Sequence, residues 1–150
     1  SRERWSHELD TSGLEAFAAS MRTSSIQRIS IAGCHLGPMG LTTFASVISD
    51  MPAMTEVNLS MNKCFDMGSA KALADVIPKS KLQTLVIGKE AKNCSVPVAA
   101  SDVMTLDFSN QDLGPGELML ISSVVIPVST AMTEIRLDGN PITGSRYNEK

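Results

Sequence analysis

Apolar and polar residues alternate in five short segments of the chain that resemble one another. Apolar residues occupy the first, fourth, sixth and eleventh positions of segments 26–36, 54–64, 103–113 and 132–142, and a weaker copy covers 82–92. Alternation over the fourth to sixth positions is typical of a half-buried β-strand. The sequence therefore predicts five strands, and the segments start 28, 28, 21 and 29 residues apart.

Between these predicted strands, the apolar residues change to helical spacing. The residues concerned are Leu41, Phe44, Ala45 and Ile48, then Ala70, Leu73 and Ile77, then Leu118, Ile121 and Val125. Glycine-containing turns precede these stretches, and a proline stands near the end of each, as expected at helix boundaries. The sequence therefore predicts three helices between strands, and similar spacing predicts an earlier helix over 13–21.

The ninth position of the four clear segments is occupied by Cys34, Asn62, Gln111 and Asn140. Together with the apolar positions, this pattern resembles the leucine-rich repeat, L-x-x-L-x-L-x-x-N/C-x-L. The steps of 28 and 29 residues resemble the ribonuclease-inhibitor-like subclass, whose repeats pair a strand with a full helix. The resemblance covers residues 9–144.

This resemblance implies both a fold and a division of the chain. The implied fold is α/β, a right-handed leucine-rich-repeat solenoid in a horseshoe arc, with a parallel sheet on its concave face and helices on its convex face. The whole chain, 1–150, is then one domain. It divides into a partial N-terminal repeat, 1–25, and repeats over 26–53, 54–81, 82–102, 103–131 and 132–150. Both end repeats are incomplete, which indicates a fragment of a longer protein or a subunit of a larger assembly.

The resemblance also gives the ninth position a structural role. An asparagine there hydrogen-bonds backbone groups of the turn after the strand and forms a ladder along the stack. Cys34, Asn62 and Asn140 are therefore expected to be ladder residues. Because buried polar groups need hydrogen-bond partners, this position favours structure over catalysis.

The segment that starts at residue 82 breaks the pattern. Its repeat is only 21 residues long, and 93–102 stands where a helix is expected. Pro97 and the β-branched residues of this stretch disfavour a helix, so a loop or short turn is predicted. Two interpretations remain open, namely tolerated drift in a repeat array and a notch on the convex face that accepts a partner.

Side chains at the third, fifth and seventh positions are predicted to point out of the concave face. The candidate binding face consists of Arg28, Glu56, Asn58, Asp107, Glu134, Arg136 and Asp138. Because adjacent strands lie about 4.8 Å apart, Arg28 is expected to pair with Glu56, and Asp107 with Arg136. The face lacks aromatic anchors and is acidic toward its C-terminal half. Three interpretations of this face remain open: it binds a partner weakly, it binds a basic protein segment, or it binds no partner.

The composition narrows the class of protein further. There are 13 Lys and Arg residues against 16 Asp and Glu residues, so the net charge of −3 gives no basic face for nucleic acid. No apolar run approaches the length of a membrane span. The cysteines Cys34, Cys64 and Cys94 form no CxxC pair, and His7 and His35 do not have zinc-site spacing. No metal or cofactor is therefore expected.

The same cysteines bear on the compartment. Three sparse thiols favour buried, reduced cysteines in an intracellular, cytoplasmic protein. Two N-x-S triplets, at Asn58 and Asn93, leave a secreted location open. The nine methionines are either core residues or adaptable apolar contacts, with core residues favoured.

No nucleotide-binding or hydrolase motif occurs, and neither histidine is placed to activate a serine. The sequence therefore predicts a non-catalytic protein–protein interaction or scaffold module that works within a hetero-complex. Two alternatives come from the family that the chain resembles. One is a GTPase-activating protein of the Ran-activator type, and the other is the ligand-sensing repeat domain of an innate-immune receptor.

Overall fold

A computed structural model describes residues 10–62, 65–88 and 94–144. The helices are α1 (Ser12–Met21), α2 (Gly37–Ile48), α3 (Met67–Val76) and α4 (Pro115–Val124), and a 3₁₀ turn (Ile77–Lys79) follows α3. The strands are β1 (Arg28–Ser30), β2 (Glu56–Asn58), β3 (Thr84–Ile87), β4 (Cys94–Pro97), β5 (Thr105–Asp107) and β6 (Glu134–Arg136). Five of these strands lie inside the five repeated segments, and the four helices lie at the stretches with helical spacing.

The strands form two separate sheets. In the first sheet, β1, β2 and β3 are parallel and in register, so that Arg28 lies opposite Glu56 and Glu56 opposite Thr84. β4 completes this sheet on the far side of β3. In the second sheet, β5 pairs in parallel with β6, and Thr105 lies opposite Glu134.

The prediction of a right-handed leucine-rich-repeat solenoid, a horseshoe arc with one parallel concave sheet, is wrong. β4 runs antiparallel to β3, with Thr84 opposite Pro97 and Ile87 opposite Cys94, and β5 and β6 lie in a sheet of their own. The protein is a small α/β domain with a mixed four-stranded sheet and a two-stranded parallel sheet. A connection between two neighbouring parallel strands needs about a dozen residues or more. The chain between β3 and β4 is shorter than that, so β4 runs antiparallel to β3.

The described residues of 93–102 form no helix, as predicted, but the expectation of a loop or short turn is wrong for residues 94–97, which form β4. Cys94 and Val96 are buried in β4 and Ser95 is exposed, while Val98 continues the buried alternation. This is the period of a strand that is buried on one face. The edge position of β4 accommodates Pro97, which lacks the N–H of a central strand.

The core is formed by the inward side chains of the sheets and one face of each helix. Leu59, Leu85 and Ile87 are fully buried, as is Phe44 on α2. Helix α3 packs against both α2 and α4. The start of α4 lies very close to the segment before α3, since a Cβ atom on Gly116 would lie 2.6 Å from the backbone oxygen of Phe65.

Two acidic side chains hold the helix starts next to this contact. Asp66 accepts a hydrogen bond from the backbone N–H of Ser69 at 2.7 Å and caps α3. The backbone N–H and the hydroxyl of Ser69 both donate to Asp66, and these two hydrogen bonds lower the pKa of Asp66. Glu117 is buried and accepts from the N–H of Gly114 at 3.0 Å at the start of α4. Negative charge at a helix N-terminus is stabilising, so both carboxylates favour the observed helix boundaries.

Candidate functional site

The second sheet presents an exposed group of charged side chains, which we call the acidic face. It consists of Asp107 on β5, Glu134 and Arg136 on β6, and Asp138 just beyond β6. Arg136 lies between two of the carboxylates, with Nη1 3.9 Å from Oδ2 of Asp107 and Nε 3.4 Å from Oδ2 of Asp138. One guanidinium is thus shared by two carboxylates, while Glu134 stands opposite Thr105. The acidic face therefore carries a net negative charge.

Asp107 is held in place by the turn that follows β5. Its Oδ1 accepts from the backbone N–H of Ser109 at 2.9 Å and also from the Ser109 hydroxyl. These hydrogen bonds lower the pKa of Asp107, and Arg136 lowers it further. The carboxylate is therefore ionised at neutral pH and has a fixed orientation.

The structure separates the other three candidate binding residues from the acidic face. Arg28, Glu56 and Asn58 lie on β1 and β2 of the first sheet. Arg28 is in register with Glu56, but the ion pairs among the described residues do not include this one. Asn58 accepts from the N–H and the hydroxyl of Ser60, at 3.0 and 2.7 Å. The predicted binding face is therefore divided between the two sheets, and the ion pairs found among its residues lie in the C-terminal half.

The two ladder asparagines make equivalent contacts. Asn62 donates from Nδ2 to the carbonyls of Ile31 and Leu59, at 2.8 and 3.0 Å. Asn140 donates to the carbonyls of Phe108 and Leu137, at 2.7 and 2.9 Å. Each side chain thus joins its own strand to the preceding one. These contacts are structural and contribute no reactive group to the acidic face.

Cys34 occupies the corresponding position after β1 but does not act in this way. Its thiol is exposed and reaches only the carbonyl of Ala32, at 3.6 Å. The expectation of buried cysteines is therefore wrong for Cys34. The physical reason is that β1 is an edge strand of the sheet, with no earlier strand over this position among residues 10–62. Cys64, His7 and Asn93 lie outside the described residues.

Cys94 is the buried cysteine of the described segments. Burial raises its pKa from 9.0 to about 12, and the charge of Glu117 adds to the effect. The thiolate is the nucleophilic form of cysteine, so Cys94 is unreactive at neutral pH. Its place on β4, facing the core, makes it a packing residue.

A shallow groove lies beside the acidic face, along the outer edge of β6. It has a volume of about 250 Å³ and is lined by Ile126, Ser129, Met132, Thr133, Glu134 and Ile135. Ile126, in the turn after α4, is 46% exposed. The sequence does not predict this groove, because Met132 and Ile135 have the spacing of core residues. Their exposure depends on the absence of a neighbouring strand among the described residues, which a periodic pattern does not reveal.

The methionines divide between core and surface. Met21, Met51 and Met54 are buried, whereas four others are exposed. The exposed ones are Met39, Met61, Met67 and Met104. Met119 and Met132 are partly buried against the core. Five of the nine methionines therefore lie in or against the core, as expected, and four are on the surface.

Over the described ranges, no helix is long and apolar enough to cross a membrane. The same residues contain no group of three or more His, Cys, Asp or Glu side chains that could hold a metal ion. The geometry thus defines a small α/β domain with an acidic surface and an adjacent apolar groove. No protein-family model matches the chain, and no curated protein matches its sequence.

Proposed function

We propose that the protein is a non-catalytic interaction or scaffold module that binds a basic segment of a protein partner at the acidic face. The observation that carries this proposal is the shared guanidinium of Arg136. It lies within ion-pair distance of Asp107 and Asp138, so three exposed carboxylates are balanced by a single positive charge. A lysine or arginine of a partner meets an attractive potential there.

The groove supports the proposal because it adds apolar contact beside the charges. Met132 and Ile135 line it, and Glu134 stands at its rim. A segment that places a basic residue near Glu134 can place an apolar residue in the groove. Charged contacts at an exposed rim mainly raise the association rate, whereas apolar contacts slow dissociation. The expected interaction is therefore weak to moderate and sensitive to salt.

The experiment is a selection of displayed peptides on the purified full chain, followed by affinity measurements on the selected sequences. We expect sequences with two or more Lys or Arg residues flanking an apolar residue. Their affinity should fall as salt is raised from low to physiological concentration, since the surface charges become screened. A selection that yields acidic or purely apolar sequences, or an affinity independent of salt, would contradict the proposal.

A further inference from the structure

The strands β1 and β6 leave apolar side chains uncovered at positions that are buried in a central strand. In β2, which has a neighbour on each side, the first, fourth and sixth positions of the repeated segment are Met54, Val57 and Leu59, all at most 1% exposed. For β1, the same positions are Ile26, which is 46% exposed, and the half-buried Ile29 and Ile31. For β6 they are the half-buried Met132, Ile135 and Leu137. Each of these two strands thus has an apolar edge that lacks a neighbour within the described ranges.

The backbone groups at these two edges are complementary. In each parallel pair, an N–H at the sixth position donates to a carbonyl at the fifth position of the next strand. The three bonds are Ile31 to Asn58 at 3.0 Å, Leu59 to Val86 at 2.8 Å and Phe108 to Arg136 at 2.9 Å. Along a strand, the backbone N–H and C=O groups of successive residues point alternately to its two edges. The carbonyl of Arg136 faces β5, so the N–H of Leu137 points away from β5. The N–H of Ile31 faces β2, so the carbonyl of Ser30 points away from β2. The two edges therefore present matching donors and acceptors.

We propose that β1 of one copy of the chain pairs in parallel with β6 of a second copy, so that the protein associates head to tail. In the register shared by the parallel pairs of the fold, Arg28 of one copy lies opposite Glu134 of the other. Ile29 then lies opposite Ile135, and Ser30 opposite Arg136. Both Arg28 and Glu134 are exposed, so each side chain can reorient. The two opposite charges then form an attractive pair across the two strands.

The apolar surfaces at the two edges also meet in this register. Ile26 and Ile29 of one copy lie level with Met132 and Ile135, beside the groove of about 250 Å³ in the other copy. On the helical side, α1 of one copy follows α4 of the other. Phe17, which is 44% exposed on α1, is thereby brought toward Ile126 in the turn after α4. The contact covers apolar area that is costly to leave in water.

A competing arrangement pairs β6 with β6 of a second copy in antiparallel fashion, which also sets Glu134 opposite Arg136. That arrangement leaves the β1 edge and Ile26 uncovered, whereas the head-to-tail contact covers the edges of β1 and β6 at once. The two arrangements differ in what they form. A head-to-tail contact uses two different surfaces and grows beyond the dimer, whereas a symmetric contact stops at two copies.

The test is sedimentation velocity of the full chain at rising concentration and low salt. We expect species larger than a dimer, and we expect Arg28→Glu and Glu134→Arg each to weaken association by about tenfold or more. The double variant with both changes should associate again, because its pair is only reversed. An equimolar mixture of the two single variants should also associate, since every contact in an alternating array is then attractive. Circular dichroism should show that all variants keep the native fold.

Alkylation of Cys34 provides a second readout at the β1 edge. The register places Cys34 of one copy opposite Asn140 of the other, so its alkylation should slow as the native chain is concentrated. The rate should not depend on concentration in Arg28→Glu. A native chain that remains monomeric throughout would overturn the proposal. So would an association that Glu134→Arg abolishes and Arg28→Glu leaves unchanged, which is the signature of β6–β6 pairing.

Discussion

Asn140 donates a hydrogen bond from Nδ2 to the backbone carbonyl of Phe108 at 2.7 Å, across the interval between β6 and β5. Its Oδ1 accepts from the N–H of Leu113 at 2.9 Å. The side-chain amide of Asn140 thus pairs with one backbone carbonyl and one backbone N–H of the segment that contains β5. Asn62 repeats this arrangement with the carbonyl of Ile31 and the N–H of Leu36, the latter at 3.3 Å. At these two places, the side chain of an asparagine therefore substitutes for backbone pairing where the chain leaves a strand.

Replacing Asn62 with Ala should lower the free energy of unfolding by about 2–4 kcal/mol, because several buried backbone groups lose their partner. The same change at the half-buried Asn140 should cost less, since water can replace part of what is lost. Urea denaturation of the two variants measures both effects. Gln27→Ala, at an exposed position before β1, serves as the control and should change little. Equal stability of Asn62→Ala and Gln27→Ala would contradict the role assigned to this amide.

The contacts of these asparagines were expected from the ninth position of the repeated segments, through the resemblance to the leucine-rich repeat. The same position predicted a ladder role for Cys34, which does not make the equivalent contacts. The strands were equally visible, since alternation at the fourth to sixth positions needs only one buried face. The same pattern predicted a single parallel sheet, and there it failed. The direction of a strand depends on the length and path of its connection, and the segment before Cys94 is too short for a helical crossover. Cys94, Val96 and Val98 alternate in the sequence, so a strand was detectable there even though its direction was not.

The acidic face could be predicted only in part. Its four residues, from Asp107 to Asp138, were all identified from their positions on the strands. The sequence could not show that they would be separated from Arg28 and Glu56, because that depends on where one sheet ends and the other begins. It also could not show the groove beside β6. Apolar residues with the same spacing along the chain are buried in a central strand but partly exposed in an edge strand.

Replacing Leu85 with Ala should destabilise the protein by about 2–5 kcal/mol, because its side chain is fully buried on β3, between two neighbouring strands. Leu106→Ala is the matched control. Leu106 occupies the same position in β5 but is half-buried, so its loss should be clearly smaller. Thermal or urea denaturation compares the two variants. If Leu106→Ala were the more damaging change, the assignment of β3 to the interior of the sheet would be incorrect.

Gly116→Ala should destabilise the protein by about 1–3 kcal/mol, although alanine favours helices over glycine. The reason is that the added Cβ would lie 2.6 Å from the backbone oxygen of Phe65. Gly13→Ala, in α1, is the matched control, because outside its own helical turn no atom of the described residues lies within 4 Å of the added Cβ. Its melting temperature should be unchanged or raised. A stabilised Gly116→Ala would show that α4 does not approach Phe65 closely.

The raised pKa of Cys94 predicts a dependence of stability on pH. The thiol ionises near 9.0 in the unfolded chain and near 12 in the folded one. Its contribution to stability is therefore complete below pH 9 and is lost as the pH rises toward 12. Denaturation midpoints measured across this range should fall more steeply for the native chain than for Cys94→Ala. Parallel pH profiles would show that the thiol is not buried.

If the acidic face binds basic segments, removing its negative charge should weaken that binding. Asp107→Asn with Asp138→Asn removes two carboxylates next to Arg136, while the amide oxygen introduced on β5 can still accept from Ser109. Asp50→Asn with Asp75→Asn changes the net charge equally at other exposed ion pairs, with Arg22 and Lys71, and serves as the control.

The measurement is the Kd of a selected basic peptide for the native chain and both double variants, by fluorescence anisotropy at low salt. Neutralising Asp107 and Asp138 should raise the Kd by about 2- to 30-fold, while the control pair should leave it nearly unchanged. Equal Kd values for the native chain and the acidic-face variant would contradict binding at the acidic face, as would an equal loss of affinity in the control variant.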